Sequence, residues 1–326
     1  MMTLKCKIMR AGLVESIHQV YAVVVGPGGE IIYNNGDPDY LTCGRSSLKP
    51  FQAGASVQAG AVKTAGFSEA EQALMCASHS GEEIHADTAR SMLKKLGYAE
   101  NLYECGNHSP FDPKTRRVLI RKGGKISPVY NNCSGKHAGM LCLAKHLKLE
   151  AQGYTRADHP VQEKIINTIK EYAELDSIEL GIDGCSAPAP FLPLRSIALL
   201  FQKLASGKYP ALDQLYTAMV NNPYLIAGRR RFDTDFIITM KGRAVCKGGA
   251  EGVKGFGLRL GGAVWGLALK VLDGNQRAAD PAAMAILNHL KFLTGKEQTA
   301  LKKYAEPLLL NHRRIKVGNI ITEIDQ

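Results

Sequence analysis

Segments with strand character lie near both ends of this chain, and helical segments fill the space between them, an order that leaves few folds open. Val14 to Val25, the turn Gly26-Pro27-Gly28-Gly29 and Glu30 to Tyr33 read as a hairpin, because apolar runs are joined by residues suited to a tight reversal. From Thr239 onward Arg243 to Lys247, Gly255 to Leu260 and Ala263 to Val271 again read as strands, followed by a tail helix over Pro281 to Leu293. Between them helices are predicted over Ser47 to Ala65, Ser68 to Cys76, Glu82 to Leu96, His137 to Leu147, Val161 to Tyr172 and Leu194 to Leu204. Ser68 with Glu71 forms a capping-box signal and Gly97 a stop signal. Asn107 to Lys125 reads as a polar connection, and Pro188, Pro190 and Pro193 as marking a loop. The pattern predicts an α+β fold: one unit over residues 1–326, its antiparallel sheet built from about 10–35 and 239–272 and covered by a helical middle of about 47–230.

A net charge of +11 raises the question of nucleic acid, but the basic runs Arg229-Arg230-Arg231 and His312-Arg313-Arg314 are short and far apart. With one Trp and nine Phe, few rings are available to stack on bases, so neither a nucleic-acid nor a membrane partner is expected. Met1 to Arg10 lacks the apolar stretch of a signal peptide, and no run of apolar residues reaches membrane length, which together predict a cytoplasmic protein. Eight cysteines are too sparse for a disulfide scaffold and are expected as thiols.

Several short stretches carry reactive side chains. Ser46 and Lys49 sit three apart at a predicted helix start, where a lysine made less basic by burial can deprotonate a hydroxyl; a serine there also suits an N-cap. Ser78, His79 and Ser80 occupy a turn before Glu82 and offer a second nucleophile, or simply a cap. Asn131 to Met140 is dense in functional groups, and one helical turn would bring Cys133, Lys136 and His137 toward one point; the spacing of a phosphate-binding loop is absent. Asp183-Gly184-Cys185 adds a carboxylate and another thiol, so Cys133 and Cys185 are candidates for zinc or for ordinary buried packing. Lys247-Gly248-Gly249, at a strand end, resembles the Lys-Thr-Gly element of serine β-lactamases, and would otherwise be a surface hairpin.

Taken in order, Arg10 to Ser16, Arg45 to Lys49, Cys76 to His79, Asn132 to His137, Asp183 to Cys185 and Gly249 to Gly252 resemble the asparaginase II family, the rhizobial-type or class 3 L-asparaginases. The resemblance implies a β-lactamase- and glutaminase-like serine hydrolase that converts L-asparagine to L-aspartate and ammonia. It implies tandems of Ser46 with Lys49 and of Ser78 with Lys247, Lys254 being the alternative partner in the second. It further implies Zn2+ held by Cys133, Lys136 and Cys185, substrate contacts from Arg45, His137 and Asp183, and a homodimer. Pro50 directly follows Lys49 and is expected to disfavour helical backbone there.

Overall fold

A computed structural model describes residues 4–324. Among the described residues eleven strands run in chain order: β1 Leu4–Arg10, β2 Leu13–Val25, β3 Ile31–Asn35, β4 Leu41–Cys43, β5 Glu179–Ile182, β6 Pro188–Pro193, β7 Ala244–Gly248, β8 Val253–Leu260, β9 Ala263–Val271, β10 Leu308–Leu310 and β11 Lys316–Ile324. The main sheet has the order β10-β11-β1-β2-β9-β8-β7, with β3 also on β2, and its pairings are antiparallel. The two chain ends therefore build one sheet, as the order of the sequence segments requires. It is wider than predicted: β1 and β11 pair from Leu4 with Ile324 to Met9 with Asn319, outside the expected 10–35 and 239–272. Their signal is the alternation by which Leu4, Cys6 and Ile8 turn inward while Lys5 and Lys7 are partly exposed.

Helix Leu194–Ala205 lies on β2, β8 and β9, and helix Ala279–His289 packs against β1, β9 and β11. Glycine permits the first of these contacts. A Cβ on Gly266 would lie 2.0 Å from Ala198 O, and one on Gly255 would lie 1.9 Å from the Phe201 ring. Phe201 then meets Phe51 edge-on at 5.3 Å, tying the sheet-bound helix to helix Lys49–Gln58.

Three expectations are corrected. Pro188–Pro193 is the middle strand of a small sheet, β4-β6-β5, rather than a loop; Pro190 takes part through its carbonyl, which accepts from Gly44 N–H at 2.9 Å. The polar connection contains a helix, Pro113–Arg121, started by Asp112, whose carboxylate accepts from Thr115 N–H at 2.7 Å. The helix predicted over Ser47 to Ala65 begins as a 3-10 turn, Arg45–Leu48, continues as Lys49–Gln58 and breaks at Gly60, where φ is 78°. Lys49 is helical despite Pro50, with φ −57° and ψ −37°, since Pro50 lies in the first turn, where a missing N–H removes no intrahelical bond.

Candidate active site

Burial of long cationic side chains marks the site. Lys49, Lys136, Lys247 and Lys254 are each 4% exposed or less, although lysine is almost never fully buried without partners. Lys247 and Lys254 line a cleft of about 600 Å³, whose walls also include Ser46, Ser78, Cys133, Asp183 and Cys185, and Lys49 and Lys136 bond to two of those wall residues, Ser78 and Cys185.

Ser46 reaches the cleft from the 3-10 turn. Arg45 just before it has left-handed backbone, φ 47°, and Ser47 rather than Ser46 closes the turn, its hydroxyl donating to Gly44 O at 2.6 Å. The expected N-cap is therefore not made by Ser46, and its hydroxyl has no hydrogen-bond partner among the described residues. Ser78 follows helix Glu69–Met75, on an extended segment pinned by Ser78 N–H to Ile226 O and Ser80 N–H to Ala227 O, both 2.9 Å. Helix Glu83–Leu96 then starts from Glu82, not Ser80, whose hydroxyl donates to Glu82 Oε1 at 2.9 Å.

The pairing within the tandems differs from the predicted one. Lys49 Nζ donates to Ala77 O at 2.6 Å, Ser78 Oγ at 2.9 Å and Asn132 O at 3.1 Å, so its partner serine is Ser78, not Ser46. The side chain starts one residue into the helix and runs inward beneath the extended segment, which a same-face argument from i, i+3 spacing does not capture. Lys247, on β7, faces the same cleft. Burial pulls its ammonium down to about 8, with Lys49, Arg231 and Lys254 adding repulsion and Asp233, at 3.7 Å, opposing.

Lys254 is held differently. Its amine meets Asp233 at 3.0 Å and Asp280 at 2.6 Å and lies 4.0 Å over the Phe232 ring; burial favours the neutral amine, but the carboxylates override it and hold the ammonium above its ordinary range. Of the two candidates for the second tandem, Lys247 alone has its amine pulled toward neutrality. Asp233 also accepts from Gly248 N–H at 2.8 Å; burial raises its carboxyl, yet the two lysines and this bond keep it well below the carboxylate range.

At the other end of the cleft the expected zinc residues converge. Lys136, on helix Ser134–His146, donates to Cys185 Sγ at 2.9 Å. Cys133 keeps the proton of the thiol pair and is raised by donating toward Cys185, while that same bond, against burial and helped by Lys136, holds Cys185 low as a thiolate. Burial pulls Lys136 down, but the two sulfurs outweigh it. Among the described residues no three His, Cys, Asp or Glu side chains group to hold a metal; the donors here are two sulfurs and an amine. His137 is corrected as a substrate contact: it is fully buried behind the cleft, its Nδ1 is 2.7 Å from Tyr154 OH, and its Nε2 has no hydrogen-bond partner among the described residues. Arg45 and Asp183 do line the cleft, bound to each other at 2.9 Å.

Several cleft residues escaped the sequence reading, among them His108, Asp233 and Asp280. His108 follows the strongly packed Tyr103–Cys105 stretch, and its Nε2 accepts from Asn132 N–H at 2.9 Å. A lone histidine in a polar connection carries no spacing signal.

A sequence profile of the family described as L-asparaginase II matches residues 6–322. No curated protein matches the chain at a significant level. Among solved structures, Mglu in its native form is similar at 13% identity and TM-score 0.44, over 83% of this chain and 61% of Mglu, so the chain spans about 61% of that protein's length. A β-lactamase from Mycobacterium bovis is similar at 15% identity and TM-score 0.47, over 83% of this chain and 94% of that one. A β-lactamase from Sphaerobacter thermophilus DSM 20745 gives 15% identity and TM-score 0.43, over 85% and 92%.

Proposed function

The chain belongs to the L-asparaginase II family, a family of amidohydrolases, and from that premise we propose that it hydrolyses the side-chain amide of L-asparagine through an acyl-serine intermediate. The observation that carries the reading is the amine of Lys49, bonded to Ser78 Oγ in the wall of a cleft that also holds Ser46 and Lys247. Carbonyls accept only, so Ala77 O and Asn132 O claim two hydrogens of Lys49; an ammonium gives its third to Ser78 Oγ. Ser78 is then free to donate its own hydrogen into the cleft. Ser46, unpartnered, is the remaining hydroxyl for attack, and Lys247, pulled down to about 8, is the amine suited to act as its base.

In the proposed sequence neutral Lys247 takes the Ser46 proton as the bond from Ser46 Oγ to the amide carbon forms. The carbon–nitrogen bond breaks as Ser78 gives its proton to the nitrogen and is reprotonated by Lys49, and ammonia leaves. Water then adds to the acyl ester, passing a proton through Ser78 to Lys49; the ester bond breaks and Lys247 returns the proton to Ser46. A substrate with both an α-carboxylate and an α-ammonium suits Arg45 and Asp183, each of which it would offer an opposite charge in exchange for their 2.9 Å pair.

Replacing Ser46 by Ala should lower ammonia release from L-asparagine by on the order of 10³-fold or more. Mass mapping of the acyl-enzyme formed with a slowly turned-over aspartate β-ester should find the adduct on Ser46. The 2.9 Å contact of Lys49 with Ser78 favours a second reading, in which Ser78 attacks and Lys49 is its base; an adduct on Ser78 would establish that one instead. Running the ammonia assay across asparagine, glutamine and a chromogenic lactam separates the amide chosen.

Zn2+ belongs to the same proposal, with Cys133, Cys185 and Lys136 as the residues that would hold it; two soft sulfurs and an amine suit that ion, and when bound it supplies a Lewis-acidic charge at that end of the cleft. Elemental analysis should show less zinc in Cys185→Ser than in the parent protein, and equal content removes Cys185 from the ligand set. Assembly as a homodimer rests on the family resemblance.

A further inference from the structure

We propose that the cleft also takes β-aspartyl amides of amino acids, releasing a free amino acid in place of ammonia, with Arg231 binding the carboxylate of the leaving residue. The inference rests on the amide-hydrolysis reading above and names a further substrate class for the same site. Among the described residues four lysine and arginine side chains line the cleft: Arg45, Arg231, Lys247 and Lys254. Arg45 is paired with Asp183 at 2.9 Å, and Lys254 with Asp233 and Asp280 at 3.0 and 2.6 Å. Lys247 stands 3.7 Å from Asp233 and is drawn toward its neutral form by burial. Arg231 is exposed, forms no ion pair or side-chain hydrogen bond among the described residues, and adds to the repulsion on Lys247. Asparagine brings one carboxylate and one ammonium, which Arg45 and Asp183 answer, so it leaves Arg231 without a counter-charge. A β-aspartyl amino acid brings a second carboxylate.

Position agrees with charge. In the proposed sequence Ser78 gives its proton to the departing nitrogen, so the leaving group lies on the Ser78 side of the cleft. Two loops are bonded to the extended segment that carries Ser78. Ile226 O and Ala227 O accept from Ser78 N–H and Ser80 N–H, both at 2.9 Å, and that loop runs on to Arg231. Asp112 N–H, directly after Phe111, donates to Ser80 O at 2.8 Å. Arg231 and Phe111 both line the cleft, and Phe111 is 53% exposed. A volume of about 600 Å³ falls within the range of about 300–1,000 Å³ that encloses drug-sized ligands, which is more than asparagine needs. The chemistry is that of the amide reaction. Ser46 Oγ bonds to the β-carbonyl carbon, the carbon–nitrogen bond breaks as Ser78 protonates the nitrogen and is reprotonated by Lys49, and the free amino acid departs. Water then resolves the same aspartyl ester, so the products are L-aspartate and the second amino acid.

The probe is β-aspartyl-phenylalanine, whose ring can meet the exposed face of Phe111. Chromatography of free phenylalanine is the readout, and ammonia release from L-asparagine is the control. Assays are run above the pH at which Lys247 loses its proton, because removing the Arg231 charge raises the Lys247 ammonium. The parent is expected to release phenylalanine. Arg231→Ala is expected to lower kcat/KM for the dipeptide by about 10- to 100-fold, the value of a charge-assisted hydrogen bond, and Arg231→Lys by less, while both stay within about threefold of the parent on asparagine. On β-aspartyl-phenylalaninamide, which lacks the carboxylate, parent and Arg231→Ala are expected to agree within about threefold. An asparagine-active parent that releases no phenylalanine overturns the inference and leaves the proposed function standing. An Arg231→Ala that loses as much on asparagine or on the carboxamide as on the dipeptide, or loses nothing on the dipeptide, also overturns it. Phenylalanine release by a parent inactive on asparagine supports the inference and refutes the proposed function, and a parent inactive on both substrates ends both.

Discussion

Lys247 and Lys254 sit at the facing ends of neighbouring strands, equally removed from water and sharing one carboxylate, yet their charges are held in opposite ways. Lys254 touches Asp233 at 3.0 Å and has Asp280 as well, and its ammonium is held high. Lys247 stands 3.7 Å from Asp233 and gains less from it than burial takes away, so it falls to about 8. Burial alone drives an amine toward neutrality, and a carboxylate at contact distance reverses the outcome. At this one end of the β7–β8 pair, Lys247 is thereby suited to moving protons and Lys254 to holding the fold together.

The comparison can be broken most directly by removing each amine in turn. Lys247→Met should lower kcat/KM by about 10²- to 10⁴-fold, as expected for loss of a general base, while the melting temperature stays close to the parent's or rises. Lys254→Met should do the reverse, costing about 3–5 kcal/mol of unfolding free energy by leaving the buried Asp233 carboxylate with less compensation, with a smaller loss of kcat in the folded enzyme. Denaturant titration and steady-state kinetics on both variants test this, and matched effects in the two would erase the distinction.

A finer test uses pH. If neutral Lys247 is the base, kcat/KM rises with pH, passes half its plateau near 8 and levels off above it, since the protonated amine cannot accept the Ser46 proton. Asp233 raises the Lys247 ammonium, so Asp233→Asn should move the acid limb to lower pH; a limb that moves up or not at all means that another group is being titrated. The shift is the smallest of these effects and the most specific to the 3.7 Å contact.

Much of the fold is legible in local pattern. Ser68 and Glu71 do form the capping box, with Glu71 N–H on Ser68 Oγ at 3.3 Å and Ser68 N–H on Glu71 Oε2 at 2.6 Å, because a cap needs only residues within one turn. Gly97 ends its helix with φ 69°, where glycine is at ease. Pro188–Pro193 misled because its strand character comes from two partners, β4 and β5, and proline composition argues the other way. Arg45, Ser46, Ser78, Cys133, Asp183, Cys185 and Lys247 were all visible as reactive residue types and all reach one cleft. His108 has nothing beside it in sequence to distinguish it from any other loop histidine.

By itself the sequence determined which segments can be strands or helices and which residue types are available for chemistry, because periodicity, caps and side-chain reactivity are local properties. Only the tertiary structure decided that Lys49 meets Ser78, that His137 lies behind the cleft, and that Lys254 rather than Lys247 takes the closer share of Asp233. Those outcomes depend on tenths of an ångström between segments far apart in the chain, and in a dry interior such differences decide where a proton resides.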